Sequence, residues 1–422
     1  VEQDAESTVV PAVPGIAPGD ERSALRVARQ PILDGSSKLL GYELLFRPPL
    51  ADEADVLDDV SATSSVIVDG LLDVGLFDLV GDSRAWVNVS RDFLTDLRPL
   101  PLPAERVVLE LIEGGEPDDE LLDVLGELRG NGFAIALDAP GEGAASEELL
   151  ARTEIVKVDV LGQDPERLAE QVADLRRERP ELKLVAKRVE TREDYELCAE
   201  LGFDAFQGYY FARPTRVGGE RLPSEGLTAL RAMTELNLSD DFDELNRIIT
   251  RDVGLSMRLL RYANSGFVAL PRRVSSVHEA LSWLGASAVR RFALMVALSG
   301  ARDIPSELLV TALVRARMCE LLCTGGPLES PDTCFTVGLF SVADALANAP
   351  MPAVIEQLPF REDVAAALLS REGELGELVR GVIAYQYGNF GAAVALRRRH
   401  PSVEQIYREA VKWADLSSAG LV

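Results

Sequence analysis

Histidine is nearly missing from this chain: 422 residues carry two, His278 and His400. Neither precedes an aspartate, since Glu279 and Pro401 follow them, so a hydrolytic centre built on an adjacent His-Asp pair is excluded and His278 reads as a helix-surface residue. Cysteine is also scarce. Four of irregular spacing make no disulfide framework and point to a reduced, cytoplasmic setting. Cys319, Cys323 and Cys334 lack histidine support for a metal and read as buried core thiols. No apolar run approaches the roughly 20 residues that span a bilayer, and the first residues lack a basic-then-apolar leader pattern. Basic charge is in deficit, with Lys+Arg 43 against Asp+Glu 69 and a formal net charge of -26. Such a field repels phosphate backbones, which argues against nucleic-acid binding through the general surface.

What the chain does have is length for two or three domains and a hydrophobic fraction of 47%, ample for packed cores. Residues 1–22 are rich in Pro, Ala and acids without periodicity and read as a disordered tail. From 23 to 214, eight short strand-like runs alternate with amphipathic helical segments, the first two joined by the turn-rich DGSSK as an antiparallel hairpin. This is the count and rhythm of a (β/α)8 TIM-type barrel. Residues 215–222 break the rhythm and serve as linker. From 223 to 422 the pattern is helical nearly throughout, giving an α/β plus all-α chain.

The strand-like runs end in polar residues: Glu43 in GYELLFRP, Asn88 in AWVNVS, Glu110 in RVVLELIE, Asp138 in FAIALDAPGEG, Lys157 in EIVKVD, Lys187 in LKLVAKRVE and Gln207 in DAFQGYYFARP. A (β/α)8 barrel builds its site from such endings at the C-terminal face of the sheet. Glu43, Asn88, Glu110 and Asp138 are hard oxygen donors of the kind Mg²⁺, Mn²⁺ or Ca²⁺ prefers. Arg29, Gln30 and Arg47 add donors suited to a phosphodiester. Polar residues end many strands, so the pattern alone leaves open a phosphate-handling site or ordinary mouth polarity.

The ordered segments ARQPILD, GYELLFRP, VNVS, LELIE, ALDAPGEG, IVKVD, AKRVET and FQGYYFARP resemble the EAL domain, a barrel phosphodiesterase that linearises cyclic di-GMP. The resemblance implies metal positions at Glu43, Asn88, Glu110 and Asp138, and a water-holding lysine at Lys157. It further implies a loop anchor at Glu113 and ligand contacts at Gln30, Arg47, Asn88 and Gln207. The helical half, through LNRIITRDVGLSMRLLRYANSGFV (with Asp252, Leu255, Asn264 and Ser265) and EALSWLG, resembles the HDOD domain, a non-catalytic offshoot of the HD phosphohydrolases.

Two departures fall on the chemistry of the resembled family. Ala139 stands where active members carry a second aspartate, and Lys187-Arg188 stand where they carry Glu-Gly. The expectation is therefore that no catalytic set is intact. The barrel would be a scaffold or cyclic di-GMP sensor joined to an HDOD surface for an unnamed protein partner, not an enzyme. The alternative is an active metal-dependent cyclic di-GMP phosphodiesterase. No cofactor is expected, with Mg²⁺ or Mn²⁺ the candidates if the vestigial acids still bind one. Lys187 is expected among Glu43, Glu110 and Asp138 as an internal counter-ion, unless it extends into water. Pairing of two copies is compatible with the resemblance.

Overall fold

The computed structural model describes residues 26–47, 76–96, 102–112, 117–139, 146–208, 253–264, 271–299, 306–323, 330–347, 350–356 and 360–419, with a few isolated positions between them. The expected tail at 1–22 and linker at 215–222 lie outside these residues, as do Glu113, Asp252 and Ser265.

Eight strands close into a barrel in sequence order: β1 (Arg26–Asp34), β2 (Leu39–Arg47), β3 (Arg84–Val89), β4 (Val107–Ile112), β5 (Ala134–Asp138), β6 (Ile155–Asp159), β7 (Lys183–Lys187) and β8 (Ala205–Phe206). Strand β1 runs antiparallel to both β2 and β8, and the remaining pairs are parallel. The expected barrel and its antiparallel opening hairpin are both present. Around it lie α1 (Leu76–Val80), α2 (Arg91–Asp96), α3 (Asp119–Gly130), α4 (Glu147–Leu150), α5 (Pro165–Glu178) and α6 (Arg192–Glu200). Local chemistry sets their starts. Asp118 accepts from the Leu121 amide, Asp164 accepts from the Glu166 and Arg167 amides, and Thr191 forms a reciprocal capping box with Asp194, each satisfying amides that a helix start leaves open.

The barrel lumen is filled. Ile32, Trp86, Val108, Ala136, Ile155, Val185 and Ala205 form one buried cluster, one residue from each of seven strands. On β2 the level belongs to Gly41, whose absent side chain makes room for the Trp86 indole: a Cβ there would lie 2.7 Å from Trp86 Nε1 and 2.6 Å from the Arg84 carbonyl. A second apolar layer, including Val87, Leu109, Ile135, Leu137, Val156 and Leu184, lies on the alternate strand positions and packs with α3 residues such as Leu121 and Leu125.

The helical half contains α7 (Val253–Ala263), α8 (Val277–Ser299), α9 (Ser306–Cys323), α10 (Pro331–Phe340), α11 (Ala343–Ala347), α12 (Met351–Ile355), α13 (Glu362–Leu369), α14 (Gly373–Gln386), α15 (Val394–Arg399) and α16 (Val403–Ala419). Asn264 ties the end of α7 to the approach to α8, donating to the Val274 carbonyl and accepting from the Val274 amide, both at 2.8 Å. Gly285 of EALSWLG sits at φ 81 inside α8 and kinks it, a left-handed conformation that glycine adopts without penalty. Cys319, Cys323 and Cys334 are buried in the core of this half, and His278 is exposed. Arg291 is not a solvated helix-end residue. It bridges α8 to α9 and α10 through Glu320 at 2.9 Å and Asp332 at 2.8 Å, while the Arg290 side chain lies outside the described set. Among the described residues, no helix is long and apolar enough to cross a membrane.

The two halves share a packed seam. Ala28 of β1 is buried within the helical core cluster and Leu45 of β2 packs against it. The C-terminal end of α14 reaches β2 so closely that Gly388, at φ 71, would place a Cβ 2.4 Å from Leu45 Cδ1. Tyr42 of β2 donates its hydroxyl to the buried Glu307 carboxylate of α9 at 2.9 Å.

Candidate active site

Strand alternation builds the site. On every strand the candidate polar residue lies two positions from the lumen-filling one: 32 and 30, 41 and 43, 86 and 88, 108 and 110, 136 and 138, 155 and 157, 185 and 187, 205 and 207. Period-two side-chain direction therefore stacks a polar layer directly on the apolar plug. The register brings neighbours level, pairing Gln30 with Glu43, Asn88 with Glu110 and Asp138 with Lys157.

Glu43 is the hub of this layer. Its Oε1 accepts from Asn88 Nδ2 at 2.9 Å, and its Oε2 accepts from Lys157 Nζ at 2.7 Å and from Gln207 Nε2 at 2.6 Å. Lys157, 1% exposed, reaches across the lumen from β6 to β2 and also holds Glu110 at 2.7 Å. For Glu43, burial opposes ionisation. The Lys157 charge and the bonds from Lys157, Gln207 and Asn88 outweigh it and hold its pKa down at about 2. Glu110 shows the opposite balance: burial, with Glu43 beside it, pushes it up to about 8 despite Lys157. Two buried carboxylates sharing one ammonium lack one positive charge, and they titrate as a pair.

Asp138 and Lys187 form a separate rim pair, with Lys187 Nζ 2.6 Å from Asp138 Oδ2 and each side chain 22% exposed. The expected counter-ion role is thus divided. Lys157, not Lys187, sits between Glu43 and Glu110, while Lys187 meets Asp138 alone. Arg188 is held at φ 59 and donates through Nε to Asp159 Oδ1 at 2.7 Å. A residue other than glycine in this conformation is strained, at a position where the resembled family carries glycine.

Three further expectations need adjustment. Arg29 does not line the mouth: it neighbours Gln30 on β1 and so points the other way, binding Asp415 of α16 at 2.7 and 2.9 Å and the Leu79 carbonyl. Ala139 does not face the acids, because one position beyond Asp138 the chain turns its Cβ into the outer apolar layer. Arg47 ends β2, but its side chain lies outside the described set. Gln30 is at the mouth, accepting from Gln207 Nε2 at 3.1 Å. Its own Nε2 donates to the Tyr387 carbonyl at 2.9 Å, a contact from the helical half that sequence reasoning did not single out. A cavity of about 510 Å³ opens above this layer, lined by Gln30, Glu43, Lys187, Arg188, Gln207 and Tyr387 among others, a size common for small-molecule sites.

This layer has oxygen donors of the kind a hard divalent cation takes, although among the described residues no three His, Cys, Asp or Glu side chains are grouped to hold one. Glu43, Asn88 and Glu110 supply oxygen donors, and the charge deficit at Glu110 is what such an ion relieves. As arranged, Asp138 is engaged by Lys187 and position 139 offers no donor, so the described residues do not fit a second ion.

Residues 83–214 match the EAL domain family and residues 222–394 the HDOD domain family. The chain is 33% identical over 357 residues, 84% of its length and 83% of the relative's, to the protein named cyclic di-GMP phosphodiesterase CdgJ of Vibrio cholerae. It is 25% identical to the uncharacterized protein YuxH of Bacillus subtilis, over 92% of this chain and 97% of that one. Among solved structures, Klebsiella pneumoniae BlrP1 in a calcium and cyclic di-GMP complex is similar at 22% identity. Its TM-score is 0.37, with 47% of this chain and 58% of that one covered. The expectation of a non-enzyme is overturned by the relative that bears the phosphodiesterase name across both domains. The two departures leave the hydrogen bonds around Glu43 in place: Lys187 pairs with Asp138 at the rim, and Ala139 turns into the outer apolar layer.

Proposed function

We propose, on the premise that this chain belongs to the family joining an EAL domain to an HDOD domain, that it is a metal-dependent cyclic di-GMP phosphodiesterase whose site is the barrel mouth. The observation that carries the reading is the convergence of four side chains, from β3, β4, β6 and the position just after β8, on Glu43, directly or through Lys157, at 2.6–2.9 Å. An assembly this costly to bury is retained where chemistry uses it.

In this reading Glu43, Asn88 and Glu110 would hold one Mg²⁺ or Mn²⁺, and the bound ion would supply Lewis-acid polarisation of a phosphoryl oxygen. Lys157 keeps Glu43 ionised and fixes the spacing of the two carboxylates. Gln30 and Gln207 orient the dinucleotide. Lys187 and Arg188 bring positive charge to the rim, where a diester phosphate is anionic. Asp138, paired with Lys187 at the rim, would take the proton of the attacking water. Water then adds across one P–O bond, and the departing ribose oxygen regains a proton.

The test is product analysis by chromatography after incubating the full chain with cyclic di-GMP and Mg²⁺ or Mn²⁺. A linear dinucleotide should form with the wild-type chain and disappear with EDTA or in Glu43→Gln. No linear product from the wild-type chain under either metal overturns the proposal.

A further inference from the structure

A row of hydrogen bonds enters the barrel site from the helical half. The Tyr387 carbonyl, just past α14, accepts from Gln30 Nε2 at 2.9 Å. Gln30 Oε1 in turn accepts from Gln207 Nε2 at 3.1 Å, and the same nitrogen donates to Glu43 Oε2 at 2.6 Å. The row has one polarity. A backbone carbonyl can only accept, so Gln30 must turn its NH₂ toward Tyr387 and its oxygen toward Gln207. The ionised Glu43 carboxylate also only accepts, so Gln207 presents its NH₂ to both neighbours. An acceptor at each end sets the orientation of both amides, and the outer acceptor belongs to the helical half.

That outer acceptor is held by a buried guanidinium. Arg315 lies midway along α9 and is 2% exposed. It donates through Nε to Gln386 Oε1 at 2.7 Å, through Nη1 to Ser341 Oγ at 3.3 Å and through Nη2 to the Tyr387 hydroxyl at 3.2 Å. Its central carbon lies 5.7 Å from the centre of the Tyr387 ring. Gln386 ends α14 and Ser341 follows α10, so one planar fork joins three helices where the chain turns toward the barrel. These acceptors are neutral, although Asp344 is near enough to feel the charge. A buried cation placed this way is a poor source of stability compared with an apolar side chain of similar volume. What it supplies is direction: the fork fixes Gln386 and Tyr387, and Gly388, the next residue, is pressed onto Leu45.

We infer that Arg315 is a positioning residue for the barrel mouth: its fork holds the end of α14 so that the Tyr387 carbonyl fixes Gln30, which lines the cavity. This rests on the phosphodiesterase reading above, in which Gln30 and Gln207 orient the dinucleotide, and it assigns control of that orientation to the helical half. Loss of the fork frees the carbonyl and lets Gln30 sample other rotamers, which substrate binding must then restrict. Glu43 keeps its bonds from Asn88 and Lys157, so the chemical step is spared. The effect belongs in KM rather than kcat.

The test is steady-state kinetics of linear-dinucleotide formation from cyclic di-GMP by the full chain in Mg²⁺ or Mn²⁺. The proteins compared are wild type, Arg315→Met, Gln386→Met, Gln30→Ala and the two double variants that combine Gln30→Ala with either of the others. Thermal melting gives the folded fraction of each. Arg315→Met should raise KM about ten-fold with kcat within about two-fold of wild type. Gln386→Met removes the shortest bond of the fork but keeps the cation, and should raise KM about three-fold; it carries the test if Arg315→Met does not fold. In the Gln30→Ala background neither change should move KM by more than about two-fold, because the row is already cut. A KM unchanged in the folded single variants, whatever their melting temperatures, overturns the inference, as does an increase that persists without Gln30. The phosphodiesterase reading survives both of those outcomes. No linear product from the wild-type chain overturns that reading and this inference together.

Discussion

Arg29 of β1 and Asp415 of α16, 386 positions apart, meet through two hydrogen bonds of 2.7 and 2.9 Å. The guanidinium is 4% exposed, the carboxylate 33%, and the Tyr42 ring lies 4.2 Å from the guanidinium carbon. Removing the acid strands a buried cation. Asp415→Ala should lower stability by about 2 kcal/mol, at the low end of buried-pair losses because Asp415 is partly hydrated. Urea unfolding measures it, and a loss under about 0.5 kcal/mol would show that the Leu79 carbonyl suffices.

Glu307 predicts a pH dependence in the same seam. It faces Tyr42, Arg29 and Asp415; burial raises its pKa, with Arg29 and the Tyr42 hydroxyl opposing. A carboxyl raised in the folded state binds more protons there than in the unfolded chain. Its contribution is therefore most favourable below the ordinary glutamate value of about 4.5 and is lost as pH rises toward the folded value. Glu307→Gln still accepts from Tyr42 but does not titrate. The melting temperature of wild type minus that of Glu307→Gln should fall steadily as pH climbs from about 4.5, and a flat difference would contradict the assignment.

Gly388 predicts a steric dependence. Gly388→Ala meets both the left-handed φ of 71 and Leu45 Cδ1 at 2.4 Å, and should destabilise by about 2–3 kcal/mol. Adding Leu45→Ala should restore part of the loss, leaving the backbone share of about 1 kcal/mol. Chemical denaturation of the two single variants and the double variant closes the cycle.

Lys187 predicts a gain. Lys187→Met frees Asp138 and removes a rim cation, so Mn²⁺ should bind at least about ten-fold more tightly by calorimetry. Unchanged affinity would mean that Asp138 contributes nothing to the ion.

Much of this was legible before folding. Period-two direction with a polar strand end gives the layer from Gln30 to Gln207, and Gly41 opposite a bulky Trp86 follows the same logic. Parity along β1 also separates Gln30 from Arg29, although both look like phosphate donors when read as a string. What the string hides is distance around a closed circle. Lys157 on β6 meets Glu43 on β2 because a lysine is long enough to cross the lumen, whereas Lys187 on β7 finds Asp138 on β5. The seam was hidden for another reason: Asp415 sits on an amphipathic helix where an acid normally means solvent, and Glu307 sits in the first turn of a helix, where an acid is ordinary N-terminal chemistry. Nothing periodic marks the few that turn inward.

Trp86 has a kinetic consequence. Its indole, admitted by Gly41, helps to stopper the barrel below the polar layer, so among the described residues the cup opens at the mouth, beside the end of α14. A crowded doorway slows arrival and departure by the same factor and leaves the equilibrium between them untouched. Whatever leans on the helical half without reshaping the pocket would therefore set the tempo of turnover while titrations at rest stayed silent.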